Sequence, residues 1–345
     1  MTVRHSDALA VVTVGYNSAA HLPGTLAAVG PQLRDDDELV VVDNASRDGT
    51  AEVVREAAQQ ARIVEMQRND GFARGCAAGV EASTAPLILF LNPDARPAPG
   101  CIDALRRIAS ERPDWGAWQA LVVMHGGERV NTLGGKIHYL GFGWSGGCGT
   151  PVAEVPDRPV EVPFASGAAM VIRREAWDRV AGFEPSYFLY GEDLDLSLRL
   201  RLAGYGVGMT PSGRVEHDYE FEKGRDKWFL LERNRWRTLL AAYPTPLLLL
   251  LAPALLLFEL ALLPVAAHGG WLGAKLRAQA AVLRDLPGEL ARRRSVQAYR
   301  QIDASTFADV LSADLDSEYL GAAARVGVLV ALQRCYWRVV RALLR

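Results

Sequence analysis

Gly191-Glu192-Asp193 sets two acids side by side directly after an aromatic segment, Tyr187, Phe188 and Tyr190, where a helix is expected to begin. Two adjacent carboxylates are costly to ionise together unless something uses the charge. A carboxylate within hydrogen-bond reach of a hydroxyl can take its proton as a new bond forms, so Asp193 is read as a general base. Asp195, two residues on, points about 200° round a helix from Asp193 and is assigned to structure. A solvated first turn of a helix is the competing reading of the pair. Three other places collect similar chemistry: Tyr16 with Asn17, Asp43 with Asn44, and Asn92-Pro93-Asp94. An aromatic and two acids can stack on a base, accept hydrogen bonds from its edge and hold a cation. Either acid alone serves equally well as a turn cap.

These residues follow short apolar runs, and the runs say what must position them. Residues 9–14 and 38–42 are rich in valine, 63–66 form a weaker run, and 87–91 read LILFL. Such runs suit strands buried on both faces. Helical stretches at 22–29 and 51–60 separate them, the second preceded by an Asp48-Gly49-Thr50 turn and cap. The alternation predicts right-handed crossovers and a mostly parallel central sheet flanked by helices, an α/β fold. Ligands of such sheets lie beyond the carboxyl ends of the strands, where the three clusters fall. Asn69, Gly71, Arg74 and Gly75 form a glycine-rich turn before a helix, able to approach a phosphate or sugar closely; a plain turn needing positive φ explains it as well.

Further on, 169–172 reads as a strand entered by a close-approach turn, Ser166-Gly167, and 175–180 as a short helix ended by Gly182. After Asp193 the text LDLSLRLRL alternates like a strand. Leucine and arginine favour helix, β-branched residues are absent and Gly204 is a natural stop, so a helix buried on more than one side is expected. Residues 115–163 interleave glycines with His138, Tyr139, Phe142 and Trp144. They read as a mobile lid, an acceptor-binding wall or a disordered excursion.

With 345 residues, half of them apolar, the chain can bury one large core plus an appendage, placed here at 1–240 and 241–345. A net charge of −2 gives no sign of a nucleic-acid binder. Cys76, Cys101, Cys148 and Cys335 are far apart, which fits neither a zinc site nor a disulfide framework and suggests a reducing, cytosolic setting. The opening MTVRHSDALA has no apolar stretch of a secretory signal, so the main domain is expected to face the cytoplasm. Between Arg237 and Glu259 there is no charge, and the stretch to Ala267 is long enough to cross a bilayer, interrupted by Pro253, Glu259 and Pro264. Basic residues on both sides argue against a single crossing. They favour a re-entrant or interfacial hairpin broken near Pro253; a buried hairpin or homo-oligomer interface is the alternative. The final helix, 321–345, sets Arg325, Arg334, Arg338, Arg341 and Arg345 beside Val326, Leu329, Leu332, Trp337 and Leu343, to lie on an anionic membrane surface or against a second chain.

The ordered set VVTVGYNS, VVDNASRDGT, RNDGFARGCAAG, LFLNPDA, ASGAAMVIRREAWDRVAGFEPSYFLYGEDLDLSLRLRLAG, VEHDYEF and ERNRW resembles glycosyltransferase family 2, enzymes of the GT-A (Rossmann-like) fold, over roughly residues 8–240. Within it the pattern is most similar to bacterial rhamnosyltransferases that build cell-surface polysaccharides. The resemblance implies that Tyr16 and Asp43, with Asn17, hold the nucleotide base. It puts Asp94 in place of the last acid of the family's D-x-D metal motif, with Asn92 where the first acid often stands. One carboxylate then faces Mg²⁺ or Mn²⁺, the rest of the shell coming partly from the donor's diphosphate. His217 takes the position of a metal- or diphosphate-contacting histidine, and Arg233 lies in a segment that binds diphosphate or a lipid phosphate, or is a solvated basic face. Relatives often carry asparagine at the position of Cys76. Asp193 matches the base, and Glu192 would orient the acceptor or the loop. The implied reaction is inverting, metal-dependent transfer from a nucleoside-diphosphate sugar, dTDP-rhamnose before UDP-sugars, to a glycan or polyprenyl-diphosphate-linked acceptor at the cytoplasmic face of the inner membrane. Competing classes are a nucleotide-sugar-binding scaffold, which has no use for Asp193, and a sugar-phosphate nucleotidyltransferase, which needs a basic glycine-rich turn that GYNSAAH lacks.

Overall fold

The valine- and leucine-rich runs become strands because both of their faces are covered. In the computed structural model, which describes residues 7–217, 226–315 and 327–345, every residue of the first strand is buried. The chain runs β1 (Leu9–Gly15), α1 (Leu22–Val29), β2 (Glu38–Asp43), α2 (Thr50–Ala57), β3 (Arg62–Glu65), α3 (Gly71–Glu81) and β4 (Leu87–Leu91). β1 pairs in parallel with β2 and β4, and β2 with β3. Leu9, Val11, Leu39, Val41 and Leu89 carry one face of this half-sheet into the core with Leu22 and Leu26 of α1. On the other face α3 comes unusually close: a Cβ at Gly75 would stand 2.6 Å from Val14 Cγ1, and one at Gly79 2.3 Å from Val12 Cγ1.

The second half is mixed. β5 (Ala95–Pro97) and α4 (Cys101–Glu111) lead to β6 (Trp115–Val123), then β7 (Val130–Thr132), β8 (Gly135–His138), β9 (Gly143–Ser145) and β10 (Val160–Glu161). β11 (Ala169–Arg173), α5 (Arg174–Arg179), α6 (Glu192–Leu202) and β12 (Gly206–His217) follow. β11 lies antiparallel between β4 and β6, and β12 runs parallel to β6. The resulting ten-stranded sheet has the order β10-β12-β6-β11-β4-β1-β2-β3, with β5 on β12 and β7 on β6.

One sequence expectation changes here and another holds. The opening of the 115–163 stretch is no loop: all nine residues of β6 are buried. Trp115 fits because Gly206 and Gly208 clear its indole, a Cβ at Gly208 falling 1.9 Å from the ring, and Trp118 Nε1 donates to Leu105 O at 2.9 Å. The alternating LDLSLRLRL is helical, as expected. A period of two in a helix spreads leucines round the whole circumference, and Leu194, Leu196, Leu198, Leu200 and Leu202 are all buried.

The chain divides into two compact units: Met1–Gly135, Ser145–Leu200 and Tyr205–Phe221 form the first, and Lys136–Trp144, Arg201–Gly204 and Glu222–Arg345 the second. The second contains α7 (Lys227–Ala242), α8 (Thr245–His268), α9 (Leu272–Arg284), α10 (Leu286–Ala298), α11 (Ala304–Ala308), β13 (Leu311–Ser312) and α12 (Gly327–Leu343). β13 pairs with Ile137 and His138 of β8, and Tyr139 stacks on Trp337 at 5.1 Å. α8 is the one described helix long and apolar enough to cross a membrane, by length and composition. The break expected near Pro253 does not occur. The helix runs through Pro253 and Pro264 and turns only at Gly269-Gly270, because each proline removes a single backbone donor from a ladder of 24 residues. Lys223, Arg225, the Asp218-Tyr219-Glu220-Phe221 end of the VEHDYEF motif, and residues 321–326 with Arg325 and Val326 lie outside the described residues.

Candidate active site

The parallel half-sheet delivers its three strand ends side by side. Past β1, Tyr16 is half exposed. Asn17 takes a left-handed backbone (φ 52°), where its N–H donates to Ser46 Oγ at 2.9 Å and its Oδ1 accepts from Arg47 N at 2.9 Å. The side chain of Asn17 therefore ties the β1 end to the loop after β2. Asp43, buried at the end of β2, accepts from Ser46 N at 3.0 Å.

The next residue, Asn44, which the sequence marks at the strand end without giving it a role, is a hub. Its amide donates to Asn69 Oδ1 (2.9 Å) and Gly71 O (3.1 Å), and its Oδ1 accepts from Asp70 N (3.1 Å). Asn69 Oδ1 also accepts from Gly71 N at 2.9 Å. The glycine-rich turn is shorter than expected: α3 begins at Gly71, so Arg74 stands exposed on the helix and Gly75 is a packing contact with β1. Gly71 itself needs to be glycine. Its φ is +84°, and a Cβ would lie 2.4 Å from Phe188 O, the same oxygen that accepts from Phe72 N at 2.7 Å. The turn is thereby bonded to the loop that carries the acid pair.

Antiparallel β11 explains how that pair reaches the strand ends. Because Ala169 pairs with Leu91, the turn Ser166-Gly167 sits at the carboxyl end of β4, and Asn92 N donates to Ala168 O at 3.0 Å. Buried Gln119 of β6 fixes the turn from the other side, accepting from Ser166 N at 2.7 Å. Gly167 N then donates to Asp193 Oδ2 at 3.2 Å, and Leu194 N to Asp193 Oδ1 at 2.7 Å. Burial raises the pKa of Asp193, and these two N–H groups oppose the rise. Glu192 is only 6% exposed, and its Oε2 has no hydrogen-bond partner among the described residues. Burial first, and the Asp193 charge second, push its carboxyl to about 8. Asp195 turns the other way, accepting from Tyr187 OH (3.0 Å) and Arg199 Nε (2.7 Å), while Arg199 also donates to Val180 O and Gly182 O. The approach to the pair is strained: Phe188 (φ 65°) and Tyr190 (φ 71°) both adopt positive φ.

Asp94 and His217, 123 residues apart, meet because β12 ends against β5, His217 opposite Ala95. His217 Nε2 lies 3.1 Å from Asp94 Oδ1 and 3.2 Å from Asn92 Nδ2. Two donors at this separation fit neighbouring positions round a six-coordinate cation, whose bonds near 2.1 Å put adjacent ligands about 3.0 Å apart. No group of three or more His, Cys, Asp or Glu among the described residues could hold a metal unaided, so a cation here would take its other ligands from substrate or water. Arg233 belongs to the second unit, its guanidinium on Asn234 Oδ1 at 3.0 Å and over the Phe229 ring.

A half-sheet order of β4-β1-β2-β3, an antiparallel strand beside β4 and acids gathered at the strand ends define a glycosyltransferase of the GT-A class. The chain belongs to glycosyltransferase family 2. The profile of that family, "Glycosyl transferase family 2", matches residues 10–180. The chain is 30% identical over 249 residues to an N-acetylglucosaminyl-diphospho-decaprenol L-rhamnosyltransferase of Mycobacterium tuberculosis, covering 64% of this chain and 79% of that relative. It is 24% identical over 214 residues to the O-antigen chain rhamnosyltransferase RfbN of Salmonella typhimurium, covering 60% and 65%. Among solved structures, GalNAc-T7 with UDP, GalNAc and Mn²⁺ superposes with a TM-score of 0.58 at 16% identity. The match covers 69% of this chain and about half (48%) of that one, a likeness of fold alone.

Proposed function

We propose that the enzyme transfers a sugar, rhamnose first among the candidates, from a nucleoside-diphosphate donor to a hydroxyl of a lipid-linked glycan, with inversion. The observation that carries the reading is the placement of Asp193, whose two oxygens are each held by a backbone N–H beside the end of β4. Half-exposed Tyr16 stacks on the base and Asp43 accepts from its edge; Asn17 and Asn44 shape the walls. The Asn69–Gly71 turn lies against the sugar and phosphates, and Arg233 of the second unit is a candidate phosphate ligand in its own right. Asp94 and His217, beside Asn92, hold Mg²⁺ or Mn²⁺, which when bound offsets the charge of the leaving diphosphate. The acceptor oxygen bonds to the anomeric carbon as the carbon–oxygen bond to the diphosphate breaks. The electron pair leaves with the nucleoside diphosphate and the acceptor proton goes to Asp193. dTDP-rhamnose is the favoured donor and UDP-sugars follow. The M. tuberculosis relative is named for a decaprenyl-diphosphate acceptor, which supports a polyprenyl-diphosphate acceptor here, met at the cytoplasmic membrane face.

Screening nucleotide sugars for Mg²⁺- or Mn²⁺-dependent release of nucleoside diphosphate tests donor and metal together. Asp193→Asn should lose about 10²–10⁴ in kcat, the span of a general base, with donor Kd nearly unchanged. Full turnover by that variant would sink the assignment.

A further inference from the structure

The first turn of α6 holds three acids, and their surroundings give each a different fate. Asp195 is an anion matched by the Arg199 guanidinium and the Tyr187 hydroxyl. Asp193 is held by two backbone N–H groups, which favour its charged form. Glu192 is buried, where Asp193 is partly exposed, and its Oε2 finds no donor among the described residues. The titratable groups bearing on it are the Cys76 thiol from α3, Tyr190 from the preceding loop, and Asp193 and Asp195 on α6. All four are acids, so each either is neutral or repels a second negative charge. A buried carboxyl in such a place neutralises itself rather than remain an unmatched ion.

We propose that Glu192 keeps its proton in the working enzyme and so leaves Asp193 as the one reactive anion of the pair. Glu192 is then a positioning residue that acts through Asp193, and this rests on Asp193 being the base. The pair divides its labour by hydrogen-bond supply: the member held by the N–H groups of Gly167 and Leu194 ionises, and the more buried member, supported by its own backbone N–H and with Oε2 unmatched, stays neutral, a common way of separating acid and base roles in one site. The rise of Glu192 to about 8 agrees with that division. Burial keeps the neighbouring Cys76 thiol neutral as well, so it offers Glu192 no counter-charge.

The full-length protein tests this without relying on turnover. A carboxyl whose folded pKa lies above its ordinary 4.5 binds its proton more tightly when folded, so its contribution to stability drains away as pH rises through about 8. Infrared difference spectra between about pH 6 and about pH 9.5 should show loss of a protonated carboxyl band that is missing in Glu192→Gln. Over the same window the Tm of the wild type should fall relative to Glu192→Gln by at least about 2–4 °C. Parallel Tm curves, or no such band, would overturn the proposal. Should Glu192→Gln fail to fold, Asp193→Asn gives the second reading: with the neighbouring charge gone, the midpoint of the Glu192 band must move to lower pH, and an unmoved midpoint refutes the coupling. If Asp193→Asn instead keeps its turnover, the base assignment falls while the band still reports whether Glu192 is protonated.

Discussion

Asn44 joins two loops of the candidate site. With three hydrogen bonds it closes the turn 69–71 onto the end of β2, and through Phe72 that turn grips Phe188, four residues ahead of Glu192. Asn44→Ala strands buried polar partners, at about 1–3 kcal/mol for such a loss. Denaturant unfolding should show that destabilisation, and kinetics should show a raised KM for donor together with a lowered kcat, since one residue holds both the turn proposed to face the donor and the acid loop. Gly71→Ala strikes the same junction from the other side. Its left-handed backbone and the 2.4 Å approach to Phe188 O leave no room for a methyl, and a loss of about 1–3 kcal/mol in unfolding free energy is expected.

At the scale of elements, α6 is the part that must not move. Arg199 ties Asp195 to the carbonyls of Val180 and Gly182, so the helix that carries Asp193 is pinned at its first turn. Arg199→Met leaves Asp195 buried without its cation and should lower the unfolding free energy by about 3–5 kcal/mol. Much of this frame was legible in the residues. β1, β2 and β4 announce themselves because strands covered on both faces must be almost wholly apolar, and α6 could be read as a helix against its own alternation because it lacks β-branched residues. What escaped was whatever depends on a distant partner. β6 reads Trp-Gly-Ala-Trp-Gln, which makes sense as a strand only once Gly206 and Gly208 have cleared a slot for Trp115. Asn44 and Gln119 find their partners 25 and 47 residues away, a relation no local pattern encodes. Pro253 misled for the opposite reason: a local rule predicted a break that a long helix absorbs.

For the whole molecule, the exposed face of α8 bears on the proposed place of work at a membrane. Leu249, Leu256, Leu257 and Leu260 are more than half exposed, while Glu259 of the same helix is drawn inward to Arg235, Lys275 and Gln279. Replacing the four leucines with glutamine should abolish co-sedimentation with anionic vesicles and leave Tm unchanged, because none of them is packed; a switch to monomer in analytical ultracentrifugation, with vesicle binding intact, would point to a homo-oligomer instead. One feature of the first unit bears on how such enzymes diversify. The chain leaves β6 at Val123 and comes back at Ser166, which Gln119 and Asp193 hold through neighbouring backbone groups of the same turn. Both ends of that excursion are anchored in the sheet, and it returns to the sheet twice on the way, as β7 on β6 and β10 on β12. Changes confined to the turns between those strands spare the Ser166–Gln119 and Gly167–Asp193 bonds, so variation there is compatible with an unchanged setting for Asp193.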